Sequence, residues 1–460
     1  MREAAHTLDV PLVDVATEHK AFLDMIGDDI AYHYADDVKF TKRGADKAAE
    51  ILAEAIDLGD GEVLDNLSEV GFLAPFNKYI YGDAPEIVRE LGTTTTSNGA
   101  TIRKVVFHSR NVNGSAENCY AIIGIPAGTG PFPAILNIHG GSGYASESFV
   151  TSWTARGYVA MAFDEPGIAD ASKCPYSTGA WKYNNNRYTA SPNVEKSTIY
   201  SAVVSMINAF NLLTSLEQVD TENVGITGAS WGGYGTTMLA SLMGDRVKAA
   251  YAHYGCGFYD IGSSFWPLAT SAMKDEQQQQ RWLYHLDNGR KVERMTANYV
   301  LGSPTNDTFF WPLAQAETYS RVYSNKRQQY AANLFHAAEV DMTVPFMEYH
   351  LKGIGSDLHS VEIVSEVSNS DGTKTITFKS DSKNTLTKGS LYYSISGDWG
   401  KEVTTSGSRT WTEVKGTYAG NNTYTAVLPA AAASSDTAYW FANITDSANV
   451  CISTILRKAK

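Results

Sequence analysis

Positive charge is in short supply in this sequence: 37 lysines and arginines face 50 aspartates and glutamates, a formal charge of −13. That balance excludes nucleic acid and anionic membrane surfaces as partners, because both would repel the chain. Long apolar runs are missing too. None approaches the roughly 20 residues that cross a bilayer, and the N-terminal MREAAHTLDVPLVD lacks the apolar core of a signal peptide. The chain therefore reads as cytoplasmic if this N-terminus is native, and as secreted or periplasmic if a leader has been removed. A homo-oligomer is left open.

Cysteine is scarce and scattered. Cys119, Cys174, Cys256 and Cys451 show no metal-ligand spacing, so buried free thiols are expected rather than a disulfide framework. No His/Cys/Asp cluster has ligand spacing either, and the expectation is no metal and no organic cofactor. No internal repeat exists, which excludes the blades of a propeller.

The residues present fill more than one domain. At 460 residues, 43% hydrophobic and 11% aromatic, the chain exceeds the roughly 250–300 residues at which single cores stop growing. Residues 1–92 read as a mostly helical region packing on the next domain; ADKAAEILAEAIDL (Ala45–Leu58) sets Ala48, Ile51, Leu52, Ala55 and Ile56 on one face. Residues 93–355 alternate buried strands with helices: PAILNIHGG, YVAMAF, a long amphipathic helix over Lys196–Val219, strands at Val224–Thr227, Lys248–Tyr254, Ala297–Gly302 and Gln329–Phe335. That alternation predicts an α/β fold with a mostly parallel sheet covered on both faces, its working residues in loops after the strands. From about Leu358 short alternating stretches such as TKTITFKS and TAYWFANIT predict an antiparallel β-sandwich over residues 356–460, resembling immunoglobulin or fibronectin type III domains.

Within the α/β part, GITGASWGGYG carries Gly228-Ala229-Ser230-Trp231-Gly232, a G-x-S-x-G in the right flanks: an apolar strand before it, a small-residue helix start after it. A serine hydroxyl needs a base, and the base an orienting acid, in the order serine, acid, histidine for this fold. Asp307 follows the strand ANYVLG, and His336 follows the next strand, so these two are the candidates. Asp341 is the rival acid, close to His336 in sequence but after no strand. Asp164 precedes the nucleophile and reads as structural, His253 as a satisfied core histidine, and His285 as a residue that could line the pocket. The oxyanion donors expected are the backbone N–H groups of Trp231 and Gly141, with Ser142 as neighbour to the latter. The aromatic-rich insertion Gly257–Met295 suits a cap over the pocket, and WKYNNNRYTASPN (Trp181–Asn193) a second wall with aromatics and amides fit for a sugar face.

HGGSGYASESFVTSWTARGYVAMAFDEPG, GITGASWGGYGTTMLASLMGDRVKAAYAHYGCGF and GSPTNDTFFWP together resemble the bacterial dienelactone hydrolase and acetyl xylan esterase group of α/β-hydrolases, with prolyl oligopeptidase-type enzymes similar at greater distance. The resemblance spans roughly Thr101–Gly353. It implies a nucleophile at Ser230, an acid at Asp307 and a base at His336. One departure is Phe335-His336-Ala337-Ala338, where relatives often place a glycine beside the histidine. The expected function is a serine hydrolase cleaving a carboxylic ester, with a small acyl group such as acetyl on a carbohydrate or small metabolite. The alternatives are a peptidase and a non-catalytic binding protein that works through its sandwich.

Overall fold

The computed structural model describes residues 73–179, 186–338 and 340–460. The helical reading of residues 1–72, Ala45–Leu58 included, lies outside the described residues. Pro75–Lys460 forms one unit. A short helix, Asn77–Ile80, comes first, and from Ile87 an antiparallel ladder follows, of β1 (Ile87–Thr95), β2 (Thr101–Val112) and β3 (Ser115–Ile125). This corrects the helical reading where it ran to residue 92. β1 is a mostly exposed edge strand with no apolar alternation to read, and its conformation comes from pairing with β2.

β3 joins β5 (Val159–Phe163) antiparallel, and the sheet then turns parallel through β4 (Phe132–Ile138), β6 (Val219–Ala229), β7 (Ala249–His253), β8 (Asn298–Pro304) and β9 (Lys326–Ala331). The order β5-β4-β6 means that the winding reverses at β4, and a parallel sheet opens its crevice at the carboxyl ends of the strands flanking that point. Helices α1 (Glu147–Thr154) and, near the end of this part, Thr343–Lys352 cover one face, with Val150, Trp153, Phe346, Met347 and Leu351 packed on Ile135, Tyr251 and Val300. Helix α2 (Thr198–Thr214) lies on the other face, next to β2, β4 and the helix after β6. It is shorter than the amphipathic pattern predicts at both ends: the Ser197 hydroxyl caps its start by accepting the Ile199 N–H at 3.2 Å, and after Thr214 the chain turns into β6, which already holds Val219.

β9 starts three residues earlier than its apolar signal. The polar KRQQ hides the strand, because Gln328 is fully buried and donates to the Leu301 carbonyl (3.0 Å) and the Ser303 hydroxyl (2.7 Å).

The C-terminal region is rich in antiparallel strands, as expected. β10 (Val361–Ser368), β11 (Lys374–Ser380), β14 (Thr417–Gly420) and β15 (Thr423–Leu428) make one sheet; β12 (Leu386–Ser394), β13 (Thr412–Lys415), β16 (Tyr439–Asp446) and β17 (Cys451–Ser453) make the other. They enclose a core of Ile376, Phe378, Leu391, Tyr424, Trp440 and Ile444. The second sheet is continuous with the α/β sheet, since β17 pairs with β9 at Ser453 and Gln328. The junction covers an otherwise open sheet edge. Cys119, Cys174, Cys256 and Cys451 form no disulfide. Among the described residues no helix is long and apolar enough to cross a membrane.

Candidate active site

Ser230 sits between β6 and helix α3 (Trp231–Met243) with φ 61° and ψ −120°. A non-glycine residue there stores about 1–3 kcal/mol of strain, held only if its surroundings fix it. They do. The Ser230 N–H donates to the His253 carbonyl at 3.0 Å, and the Tyr234 N–H to the Ser230 carbonyl at 2.9 Å. The motif's glycines are steric necessities, because a methyl at Gly228 or at Gly232 would run into the Ile138 carbonyl. The helix begins at Trp231, earlier than the sequence places it, so its unpaired N-terminal N–H groups open directly beside the serine hydroxyl.

The structure brings His336 and Asp307 to this hydroxyl. His336 Nε2 lies 2.8 Å from Ser230 Oγ. Its Nδ1 lies 3.0 Å from Asp307 Oδ2 and 3.2 Å from Oδ1. Asp307 is fully buried, and its Oδ1 also accepts the N–H groups of Phe309 (2.7 Å) and Phe310 (2.9 Å). The carboxylate is therefore locked by its own loop before it meets the imidazole. The rings of Tyr254 and Phe309 pack edge-on against His336 at 4.7 and 4.8 Å.

The rivals are elsewhere. Asp341 is 3.7 Å from His253 Nε2 and accepts the Thr343 N–H at 2.8 Å, just before the next helix. His253 is also 3.0 Å from the Thr343 hydroxyl, and burial pulls its pKa down. Asp164 is buried and structural: it accepts the Ala145 N–H (2.8 Å) and the Ser177 hydroxyl (2.7 Å).

The loop after β4 is built just as firmly. His139 Nε2 accepts the Glu165 N–H at 3.0 Å, which leaves Nδ1 to donate to the Gly140 carbonyl at 2.7 Å. Burial lowers the His139 pKa, in keeping with this neutral tautomer. The Gly143 N–H donates to the same carbonyl (2.9 Å), and the Ser142 N–H to the Ile168 carbonyl (2.8 Å). Ser142 is thus committed, while among the described residues no backbone acceptor takes the Gly141 N–H. A Cβ on Gly141 would sit 2.8 Å from Trp231 Cδ1, so this loop and the residue after the serine touch.

Sequence reasoning missed the contacts that hold the Asp307 and His336 loops together. Asn306 and Asn333 flank these loops. The Asn306 N–H donates to the Leu334 carbonyl at 2.9 Å, and the Asn333 N–H to the Thr305 hydroxyl at 2.8 Å. Both side chains then reach into the C-terminal region. Asn306 Nδ2 donates to the Arg409 carbonyl (2.6 Å), and the Asn333 amide exchanges two 2.8 Å bonds with the Trp411 backbone. Asn333 has φ 62°. Asn333→Gly keeps that backbone free of strain while deleting both bonds. It is expected to lower kcat about 10–100-fold with little change in KM, the size of a sub-ångström to ångström misplacement of His336. Steady-state kinetics alongside a thermal melt checks this; a lowered melting temperature with kcat intact would make the contact merely structural.

Residues 94–260 match the family model described as acetyl xylan esterase (AXE1), a stretch that includes Gly141 and Ser230 and ends before Asp307. Among solved structures, acetyl xylan esterase 1 from Thermoanaerobacterium sp. is similar at 17% identity, covering 62% of this chain and 94% of that one with a TM-score of 0.51. An acetyl xylan esterase from Paenibacillus sp. gives 17%, 64%, 96% and 0.49 on the same measures. The acylaminoacyl peptidase of Pyrococcus horikoshii gives 15%, 59%, 52% and 0.43. With the winding order, the strained serine turn and this match together, the chain has the α/β-hydrolase fold, and its residues 94–260 align with the acetyl xylan esterase family model.

Proposed function

We propose that this protein is a serine ester hydrolase that removes small acyl groups, acetyl above all, from a carbohydrate or small metabolite. The observation that carries the reading is the hydrogen-bonded relay from Ser230 Oγ to His336 Nε2 at 2.8 Å and from His336 Nδ1 to Asp307 at 3.0 Å. As His336 Nε2 takes the hydroxyl proton, Oγ attacks the ester carbonyl, and Asp307 steadies the imidazolium. The oxyanion is met by the N–H groups of Trp231 and Gly141. The tetrahedral species collapses as Nε2 returns its proton to the leaving alcohol oxygen, which leaves an acyl ester on Ser230. Water, deprotonated by the same nitrogen, attacks that ester, and as the new tetrahedral species collapses Nε2 returns the proton to Ser230 Oγ and the carboxylic acid leaves. Every proton transfer runs through His336 Nε2, and Asp307 stays ionised throughout. We also assign residues 87–355 to the catalytic body and 356–460 to a platform that braces it.

A short acyl chain is favoured by the rings beside the site: Trp231 packs on Phe265 at 5.0 Å and Phe310 at 6.2 Å, and Phe309 lies on Phe265 at 5.7 Å. Such a wall penalises each added methylene. Turnover of p-nitrophenyl acetate is expected to exceed that of the butyrate by about 10-fold or more, and the octanoate to be barely cleaved. Acetylated xylo-oligosaccharides and a proline p-nitroanilide peptide complete the panel. Preference for octanoate would refute the small-acyl reading, and cleavage of the peptide alone would replace the esterase by a peptidase.

A further inference from the structure

Beside the serine turn stands a cation with no counter-ion among the described residues. Arg187 belongs to the segment with the composition of a sugar-facing wall, and its backbone is fixed: its carbonyl accepts the Ser197 hydroxyl (2.6 Å) and Trp282 Nε1 (3.0 Å). The guanidinium carbon lies 5.4 Å from the ring centre of Trp231, the residue directly after the nucleophile, on the indole that also abuts Gly141. Nη2 donates to the Gly167 carbonyl at 3.1 Å. Nε is buried with no acceptor, and the hydroxyls of Tyr188 and Tyr259 are likewise buried without partners among the described residues. Among these residues no carboxylate stands within 4.0 Å of Arg187. Desolvation of this half-buried group depresses its pKa, with only the two tyrosines opposing.

A half-buried guanidinium is normally paired, since a charge drawn partly out of water without a counter-ion is destabilising. Here the donors of Nη1 carry no bond to the described residues, the indole holds the plane in place, and the fork is the shape that binds a carboxylate bidentately. One guanidinium suits a monoanion better than a doubly charged phosphate. We propose that Arg187 is a specificity residue that receives a carboxylate carried by the ester substrate, so that the preferred substrates are acyl esters of acidic sugars such as a uronic acid. The proposal rests on the esterase reading for its reaction, although the binding half stands apart from it.

The test compares mono-acetylated glucuronic acid with mono-acetylated glucose, alongside p-nitrophenyl acetate, in wild type, Arg187→Gln and Arg187→Lys. Wild type is expected to favour the acidic ester by about 10–100-fold in kcat/KM, the worth of one charge-assisted pair. Arg187→Gln is expected to bring that ratio close to one through a higher KM for the acidic ester, and Arg187→Lys to restore part of it. Equal handling of the two sugars by wild type overturns the proposal. So does an equal loss on both in Arg187→Gln, which would make the residue a prop for the Gly167 loop. Failure of the esterase reading shows differently, as inactivity on p-nitrophenyl acetate as well. In that event calorimetry of glucuronate against glucose on Ser230→Ala still decides, and no preference for glucuronate sinks the carboxylate site.

Discussion

Replacing Ser230 by alanine is expected to lower kcat on p-nitrophenyl acetate by about 10⁴–10⁶-fold, because in the proposed mechanism the acyl intermediate forms on its Oγ and the remaining groups act only as a unit. The fold should not suffer. The bonds that hold the turn run through the Ser230 N–H and carbonyl, and alanine keeps both at the same φ of 61°. A melting temperature equal to wild type together with lost activity supports the nucleophile. More than about one per cent residual activity, free of contaminating wild type, removes Ser230 from the mechanism. Mass spectrometry of the protein quenched during turnover gives an independent reading, as an acetyl adduct on the peptide that holds Ser230.

Asp307→Asn carries the second large effect, a fall of about 10⁴-fold in kcat. The carboxylate accepts from three donors: the Phe309 and Phe310 N–H groups at Oδ1 and His336 Nδ1 at Oδ2. An asparagine oxygen satisfies the two backbone donors, which turns its NH₂ toward Nδ1. The imidazole must then accept there and carry its proton on Nε2, where it can no longer take the Ser230 proton. Binding does not involve this proton, so KM should hold while kcat falls. A crystal structure of the variant with Nε2 still 2.8 Å from the hydroxyl and activity near wild type would refute it. Asp307→Ala, by contrast, would also release the two N–H groups and confound stability with chemistry.

Much of the site was legible in the chain. Apolar strands such as VAMAF are buried along their whole length, and a run of that kind reads directly as an interior strand. Gly228, Ser230 and Gly232 could be recognised because local sterics dictate them: two glycines must clear one carbonyl, wherever the rest of the chain lies. The succession of strands also pointed to Asp307 and His336, which the fold brings to within hydrogen-bond reach of one another and of Ser230. β1 and the start of β9 were opaque. Their residues are polar or exposed, and pairing rather than pattern sets their conformation.

Periodicity and backbone sterics act over a few residues, and they alone specify the local grammar: a parallel sheet with a strained serine turn, a glycine loop after β4, and alternating strands at the end. The long-range contacts emerge only on folding. The sheet runs on through Ser453 into the C-terminal strands, Asn306 and Asn333 tie the Asp307 and His336 loops to Arg409 and Trp411, and Arg187 stands over Trp231. Those contacts join residues up to 125 positions apart, since Gln328 pairs with Ser453, and no local pattern encodes which distant partner a polar side chain will meet.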